Sequence, residues 1–315
     1  MAEAFGKLLD SLAVDLPLPG SGQTGERWRG LAAIARRDLS VARLAEGHVD
    51  AVAILAELGG PPPPPGSRWG VWAAEPPAPV VLAERSGDGW SLTGTKPWCS
   101  GAHSCTHALV SARIGEERGL FAVALHPGQA EPVEDTWPAV GMAGSDSGAV
   151  TFDGAPAEIV GAPGDYVARP GFWHGAIGVA ACWYGGACGV ADKLLGNVRG
   201  GRAEPHMLAH LGAVDASLHA TGSALADAAR AVDADPLDTS GDAAALAMRV
   251  RAIVEETCDD VLARVGRATG AGPLGSSAEH ARRVADLTVY VRQSHAERDL
   301  AELGRLVADG RTPSW

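Results

Sequence analysis

The sequence is poor in positive charge. Lys and Arg total 26 against 38 Asp and Glu, a formal net charge of −12 over 315 residues. Nucleic-acid binding needs a basic footprint, so this balance argues against a polyanionic partner. Long apolar runs are also missing: none approaches the roughly 18 residues a membrane span requires, and no transmembrane helix is expected. The stretch from Met1 to Pro17 carries acidic residues early and has no basic start followed by a long apolar core. It does not read as a signal peptide, and a cytoplasmic location is expected. Cysteine is scarce and badly spaced for a framework. Cys99, Cys105, Cys182, Cys188 and Cys258 are odd in number, and the close pairs are C-x5-C, neither a redox CxxC nor a zinc-finger spacing. The ten histidines form no HExxH or HxH cluster. His103, Cys105 and His107 alternate toward one side of a strand start, but three soft ligands without a fourth make a poor metal site, and none is expected.

What is present is a globular chain. Hydrophobic residues make up 46% and charged residues 20%, enough apolar surface for a sizeable core and too little charge for disorder. The length suggests two or three domains. Residues 26–58 are Ala-rich, with Leu39, Val41, Leu44, Val49, Val52 and Leu55 spaced for a buried helical stripe, Asp38 or Ser40 as a cap and Gly59-Gly60 as a stop. Five prolines, Pro61 to Pro65, then form a stiff connector. From Trp69 to Val160 the pattern shortens to runs such as Val80–Leu82, Trp90–Thr93, His107–Val110, Leu120–Leu125 and Val150–Asp153, separated by turn residues. Antiparallel β structure, a small barrel or sandwich, is predicted. From Phe172 the helical period returns. Helices are predicted at 172–198, 205–234, 242–269 and 277–308, an antiparallel four-helix bundle. The last has Val284, Leu287, Val291, His295, Leu300 and Leu303 on one face. Gly185, Gly186, Ala187 and Gly189 are costly in an isolated helix and imply a close neighbour, a helix in preference to a flat ligand. The expected segments are a helical domain over 1–68, a β-domain over 69–166 and a helical bundle over 167–315.

Three stretches in this order resemble the acyl-CoA dehydrogenase superfamily, which includes flavin-dependent monooxygenases. Trp90-Ser-Leu-Thr-Gly-Thr-Lys-Pro-Trp98-Cys99-Ser100 resembles the pattern Y-x-L-N-G-x-K-x-W-I-T. Gly141-Met-Ala-Gly-Ser-Asp-Ser147, followed by Val150-Thr-Phe152, resembles G-x-R-x-S/T with its strand. Arg283-Val-Ala-Asp286 resembles the R-x-x-R-D helix. The chain is shorter than typical members. The resemblance implies the helical, β, helical-bundle architecture, FAD or FMN between the last two domains, and a homodimer or homotetramer. It also implies an acyl-CoA or other acyl-thioester substrate, with an electron-acceptor protein or oxygen as second partner.

By the same resemblance Trp98, Cys99 and Ser100 touch the isoalloxazine ring, the Ser100 hydroxyl donating where negative charge grows on reduction. Without a cofactor, Trp98 would be a core anchor and Ser100 a turn residue. Cys99 replaces an aliphatic residue as a small apolar side chain. Glu75 falls in the T-E-P step of the flavin loop, although Ala74 replaces its Thr and the following G-S-D is missing; Trp72 would compensate by stacking. Arg199 or Arg202 would meet a pyrophosphate where R-x-Q-F-G is expected, or else be solvated at a helix end. No acid occupies either place where the family holds its catalytic base: Ser294-His295 stands at one and Phe172-Trp-His174 at the other. His295 is the candidate catalytic residue, because imidazole titrates near neutral pH; His174 is a lesser one. α,β-Dehydrogenation of an acyl thioester is the leading expectation. Monooxygenation and an inactive binding or partner subunit are the alternatives.

Overall fold

The computed structural model describes residues 16–201 and 204–312. Two helices come first, α1 (Thr24–Arg37) and α2 (Leu39–Leu58). They are parted at Asp38, whose backbone is extended and whose Oδ1 accepts from Val41 N–H at 3.0 Å to start the second. Seven strands follow: β1 (Trp69–Trp72), β2 (Val81–Ser86), β3 (Gly89–Cys99), β4 (His107–Ile114), β5 (Glu117–Ala124), β6 (Ala130–Val133) and β7 (Gly148–Val160). A short α3 (Asp165–Ala168) leads to α4 (Pro170–Arg199), α5 (Pro205–Ala234), α6 (Ala243–Thr269), a one-turn α7 (Gly272–Ser276), α8 (Ala278–Tyr290) and α9 (Glu297–Ala308). Among the described residues no helix is long and apolar enough to cross a membrane. The chain divides into two compact units. The first includes Arg43–Ala139 and Ala143–Phe172; the second includes Leu16–Ala42, Val140–Met142 and the residues from Trp173 onward.

In the first unit β4, β2, β3, β7 and β5 pair in that order, and β5 returns to β4, closing a small barrel. The β1–β4 and β2–β4 pairings are parallel, against the antiparallel expectation. The remaining pairings are antiparallel. Side chains alternate across each strand, so Val81 and Ala83, Ala108, Val110 and Ala112, Phe121 and Val123, and Val150 and Phe152 fill one core with Trp72 and Leu92. The opposite set, Leu109, Leu120, Ala122 and Val160, packs with Trp69 against Ala51, Ile54 and Leu55 of α2.

In the second unit α4 is buried along Ile177, Ala180, Ala181, Trp183, Ala187, Val190 and Leu194. Its glycines are explained by a helix and not by a ligand. A Cβ on Gly189 would lie 2.7 Å from the Arg36 carbonyl oxygen, and one on Gly185 would run into the Ala32 backbone, so α1 packs directly on this stripe. Helices α5 and α6 meet at a buried Thr221–Thr257 hydroxyl pair, 2.7 Å apart. Thr24 of α1 is tied to Asp233 of α5 through its hydroxyl, at 2.6 Å, and its N–H. The predicted helix 277–308 is broken. After Tyr290 a 3-10 turn runs over Val291–Gln293, Ser294 is extended and Ala296 has φ +45° before α9 begins. Arg251 of α6 donates to the Gln293 carbonyl at 3.3 Å, diverting an acceptor that a continuous helix would use. Leu287 and Val291 are buried, whereas the His295 side chain beyond the break is 64% exposed.

Candidate functional site

The end of β3 and the turn after it carry the richest chemistry in the first unit. The β3–β7 register shifts between Lys96 and Cys99, and Trp98 adopts φ +59°. That left-handed backbone is rare for a bulky residue and occurs where the surroundings impose it. The shift turns the Trp98 indole outward, 58% exposed, while Cys99 faces the core. The Cys99 thiol points to the Lys96 carbonyl at 3.2 Å, and burial pushes its pKa well up, so it is an inert space-filler. Ser100 follows. Its carbonyl accepts from the Trp72 indole N–H at 3.0 Å. Its hydroxyl lies 3.2 Å from Ser147 Oγ, which in turn is 2.7 Å from Ser145 Oγ. Three hydroxyls, from two turns 45 residues apart, therefore form one chain beside the Trp98 indole's strand end.

The two turns are joined by backbone bonds from Gly101 N–H to the Ser145 carbonyl (3.0 Å) and from Ala102 N–H to the Asp146 carbonyl (2.8 Å). The Asp146 carboxylate accepts from His103 N–H (3.0 Å), Ser104 N–H (2.8 Å) and Ser104 Oγ (2.6 Å). The His103 ring faces Asp146 Oδ1 at 2.8 Å and Glu134 Oε1 at 3.3 Å. The hydrogen bond the ring makes to Asp146, with that to Glu134, outweighs the opposing effect of burial and raises the imidazole pKa.

Glu75 is committed elsewhere. Lys96, 3% exposed, donates to Glu75 Oε1 at 2.8 Å and to the Ser111 carbonyl and hydroxyl at 2.8 and 2.7 Å. Ser111 Oγ also donates to Glu75. Burial alone would raise the Glu75 pKa; Lys96 and Ser111 outweigh it, and the carboxyl lies below its ordinary value. Its position in the T-E-P step thus neutralises a buried lysine of the β3 motif. Trp72, expected as a stacking surface, is 2% exposed and lies inside the barrel core.

In the second unit the two weaker motifs meet. Asp286 of α8, buried, accepts from Met142 N–H at 2.6 Å, and Gly141 rests on the Ala285 backbone so tightly that no Cβ would fit. Burial raises the Asp286 pKa. Arg283 donates to the Gly189 carbonyl at 3.1 Å and pairs with Glu279 at 2.8 Å. These contacts tie α8 to the Gly141–Met142 turn and to α4, and only the Arg283–Glu279 pair is an i,i+4 contact within the helix. His295 stands in the break before α9 with Nδ1 3.3 Å from Asp299 Oδ1. His174 is buried in α4. Arg199 is exposed at the end of α4, and Arg202 lies outside the described residues. A cleft of about 430 Å3 opens nearby in sequence, lined by Lys193, Asn197, Gly200, Thr269 and Ser276.

Among the described residues no three His, Cys, Asp or Glu side chains are grouped to hold a metal ion. The alternating trio is dispersed. His103 bonds Asp146, Cys105 is buried with its thiol pushed up to about 12 by desolvation, and His107 stacks on Trp69 with centroids 4.8 Å apart. Sequence reasoning gave no site role to Asp146, to Ser147, which reaches Ser100, or to Ser145, which reaches Ser147. Their signal was the polar run Ser145-Asp146-Ser147 inside an otherwise small, apolar turn.

Residues 74–155 match the family model for the acyl-CoA dehydrogenase middle domain. No curated protein matches the chain in sequence. Solved structures match over nearly its whole length. TdsC from Paenibacillus sp. A11-2, crystallised with FMN and indole, is 18% identical with a TM-score of 0.81, covering 98% of this chain and 88% of TdsC. KijD3, in complex with FMN and a dTDP-linked amino keto sugar, is 17% identical with a TM-score of 0.79, covering 98% and 86%. The methanesulfinate monooxygenase MsuC from Pseudomonas fluorescens is 17% identical with a TM-score of 0.72, covering 92% and 84%. Residues 74–155 are therefore an acyl-CoA dehydrogenase middle domain, and the chain has the acyl-CoA dehydrogenase-like fold.

Proposed function

We propose that this chain is a flavin-dependent oxidoreductase acting on a small molecule, and that its chemistry is oxygen insertion in preference to desaturation of an acyl thioester. The observation that carries the flavin assignment is the hydroxyl chain Ser100–Ser147–Ser145 beside an outward-facing Trp98. It stands at the strand end where the middle-domain motif predicts the ring edge. The donor set suits that group. A flavin edge offers both acceptors and an N–H donor, and a hydroxyl can serve either. Ser100 would bind and orient that edge, Ser147 would hold the Ser100 hydroxyl in direction, and the Trp98 indole would shield one side from water. When bound, the flavin supplies the redox chemistry.

Two observations favour oxygen insertion. Neither position where a dehydrogenase needs a carboxylate base carries one. His295 is accessible instead, with Nδ1 3.3 Å from Asp299 Oδ1, and is the side chain proposed to handle a proton in that place. The similar solved proteins include TdsC, described as a dibenzothiophene monooxygenase, and MsuC; FMN is accordingly the proposed form, and oxygen the second substrate.

The test begins with purified protein and added FMN or FAD, followed by absorbance and mass spectrometry of the retained ligand. Retention of FMN, and oxygen uptake with a separate flavin reductase that His295→Ala abolishes, is the expected result. Anaerobic bleaching by an acyl-CoA would turn the assignment to dehydrogenation. A colourless protein that takes up neither flavin overturns both and leaves a binding subunit.

A further inference from the structure

Asp146 does more than its place in a turn requires. Its backbone sits at φ +51°, a left-handed conformation that side chains other than glycine seldom adopt. Asparagine or glycine would tolerate that backbone more readily, but neither offers a full carboxylate. The side chain is 16% exposed, and both oxygens are used. Oδ2 gathers the N–H groups of His103 and Ser104 with the Ser104 hydroxyl, and Oδ1 faces the His103 ring. These bonds, with Ala102 N–H to its carbonyl, fasten residues 102–104 to the turn that bears Ser145 and Ser147. Ser100 lies just before the fastened segment, and Ser147 immediately follows Asp146. The 3.2 Å Ser147–Ser100 contact is therefore set by a clamp one residue away on one side and two on the other. From the opposite direction Trp72 fixes the Ser100 carbonyl. With its carbonyl and the following segment both held, the Ser100 hydroxyl has little freedom left beyond its own rotamer.

Resting on the flavin assignment above, we propose that Asp146 is a positioning residue. It touches no cofactor; it holds the Ser100 turn against the Ser147 turn so that the Ser100 hydroxyl meets the flavin edge in one direction. Two groups acting through one another are non-additive when both are removed, and a residue that merely stabilises the fold has no such coupling to Ser100.

The experiment is a double-mutant cycle on the full chain, reading the FMN dissociation constant and the visible spectrum of the bound flavin. Asp146→Ala in the wild-type background is expected to weaken FMN binding by about tenfold or more and to shift the bound spectrum. In the Ser100→Ala background the same change is expected to alter affinity by no more than about twofold. Equal losses in the two backgrounds, or no loss in the wild type, overturn the proposal. Should Asp146→Ala give no cooperative thermal transition, Asp146→Asn carries the same cycle, because asparagine accepts the left-handed backbone while losing the charge. Its expected loss is smaller but again absent without Ser100. A wild-type chain that binds no flavin overturns the assignment on which the proposal rests, an outcome distinct from additive losses in a chain that does.

Discussion

His48 illustrates how one side chain joins two elements and fixes a pH response. It lies on α2, and its Nδ1 accepts from the backbone N–H of Trp69 at 3.2 Å. Trp69 opens β1, and that N–H would otherwise be buried without a partner. Only the neutral imidazole has a lone pair to offer there, and burial lowers its pKa from 6.5 to about 4. The folded value is therefore below the unfolded one. Between the two, the unfolded chain binds a proton that the folded chain refuses, so stability rises with pH across this window. The contribution is complete above about pH 6.5 and declines as pH falls toward 4, by at most on the order of 2–3 kcal/mol. Urea midpoints measured at pH 7 and pH 5 should separate clearly for the native chain. In His48→Asn, whose side-chain oxygen can accept the same bond without titrating, that part of the separation should vanish. An unchanged separation would assign the acid sensitivity to other groups.

At the scale of elements, the glycines of the long helices make opposite predictions from the same residue type. Glycine costs a helix roughly 1 kcal/mol relative to alanine. At Gly212, in the interior of α5, an added Cβ meets nothing within 4 Å, so Gly212→Ala should raise stability by about 0.5–1 kcal/mol. At Gly189 the Cβ would press on the Arg36 carbonyl at 2.7 Å, and backbone cannot swing aside. Gly189→Ala should destabilise by about 1–3 kcal/mol despite its better propensity, and thermal melts of the two variants check the pair. The period of α4, α5 and α6 was legible to within two residues at each end because it is set by the chain's own apolar spacing. What was not legible depends on distant partners. β1, Trp-Gly-Val-Trp, shows no alternation and exists because it pairs in parallel with β4. β6 contains Pro132, which demotes a strand in sequence, yet it pairs with β7. The break before His295 lies where Arg251, 42 residues away, bonds the Gln293 carbonyl. The site divides the same way. The β3 motif gave Trp98, Cys99 and Ser100 their positions, but the hydroxyl chain and the diversion of Glu75 to Lys96 arise from turns and strands that meet only on folding.

For the molecule as a whole, the charge balance bears on how a ligand arrives. A net charge of −12 repels an anion at long range, and FMN carries a phosphate. The field reaches roughly 30 Å at 0.01 M salt but only about 8 Å at 0.15 M, so its influence on encounter is adjustable without touching a contact. Local cations can focus a field against the global sign. Of the cations near the candidate hydroxyls, Lys96 is already neutralised by Glu75, Arg43 is paired with Glu46, His103 faces two carboxylates, and Arg68 is turned to the Ser104 carbonyl at 2.6 Å. FMN association measured by stopped-flow fluorescence quenching should therefore quicken as salt is raised from about 0.01 to 0.15 M, the reverse of an electrostatically steered encounter. Lumiflavin, which has the same ring without the phosphate, should associate at a rate nearly independent of salt. If FMN binding instead slows as salt rises, a positive entry exists outside the hydroxyl chain. Arg199→Ala would then separate a contribution of the exposed end of α4 from one made by Arg202, through whether the salt dependence disappears.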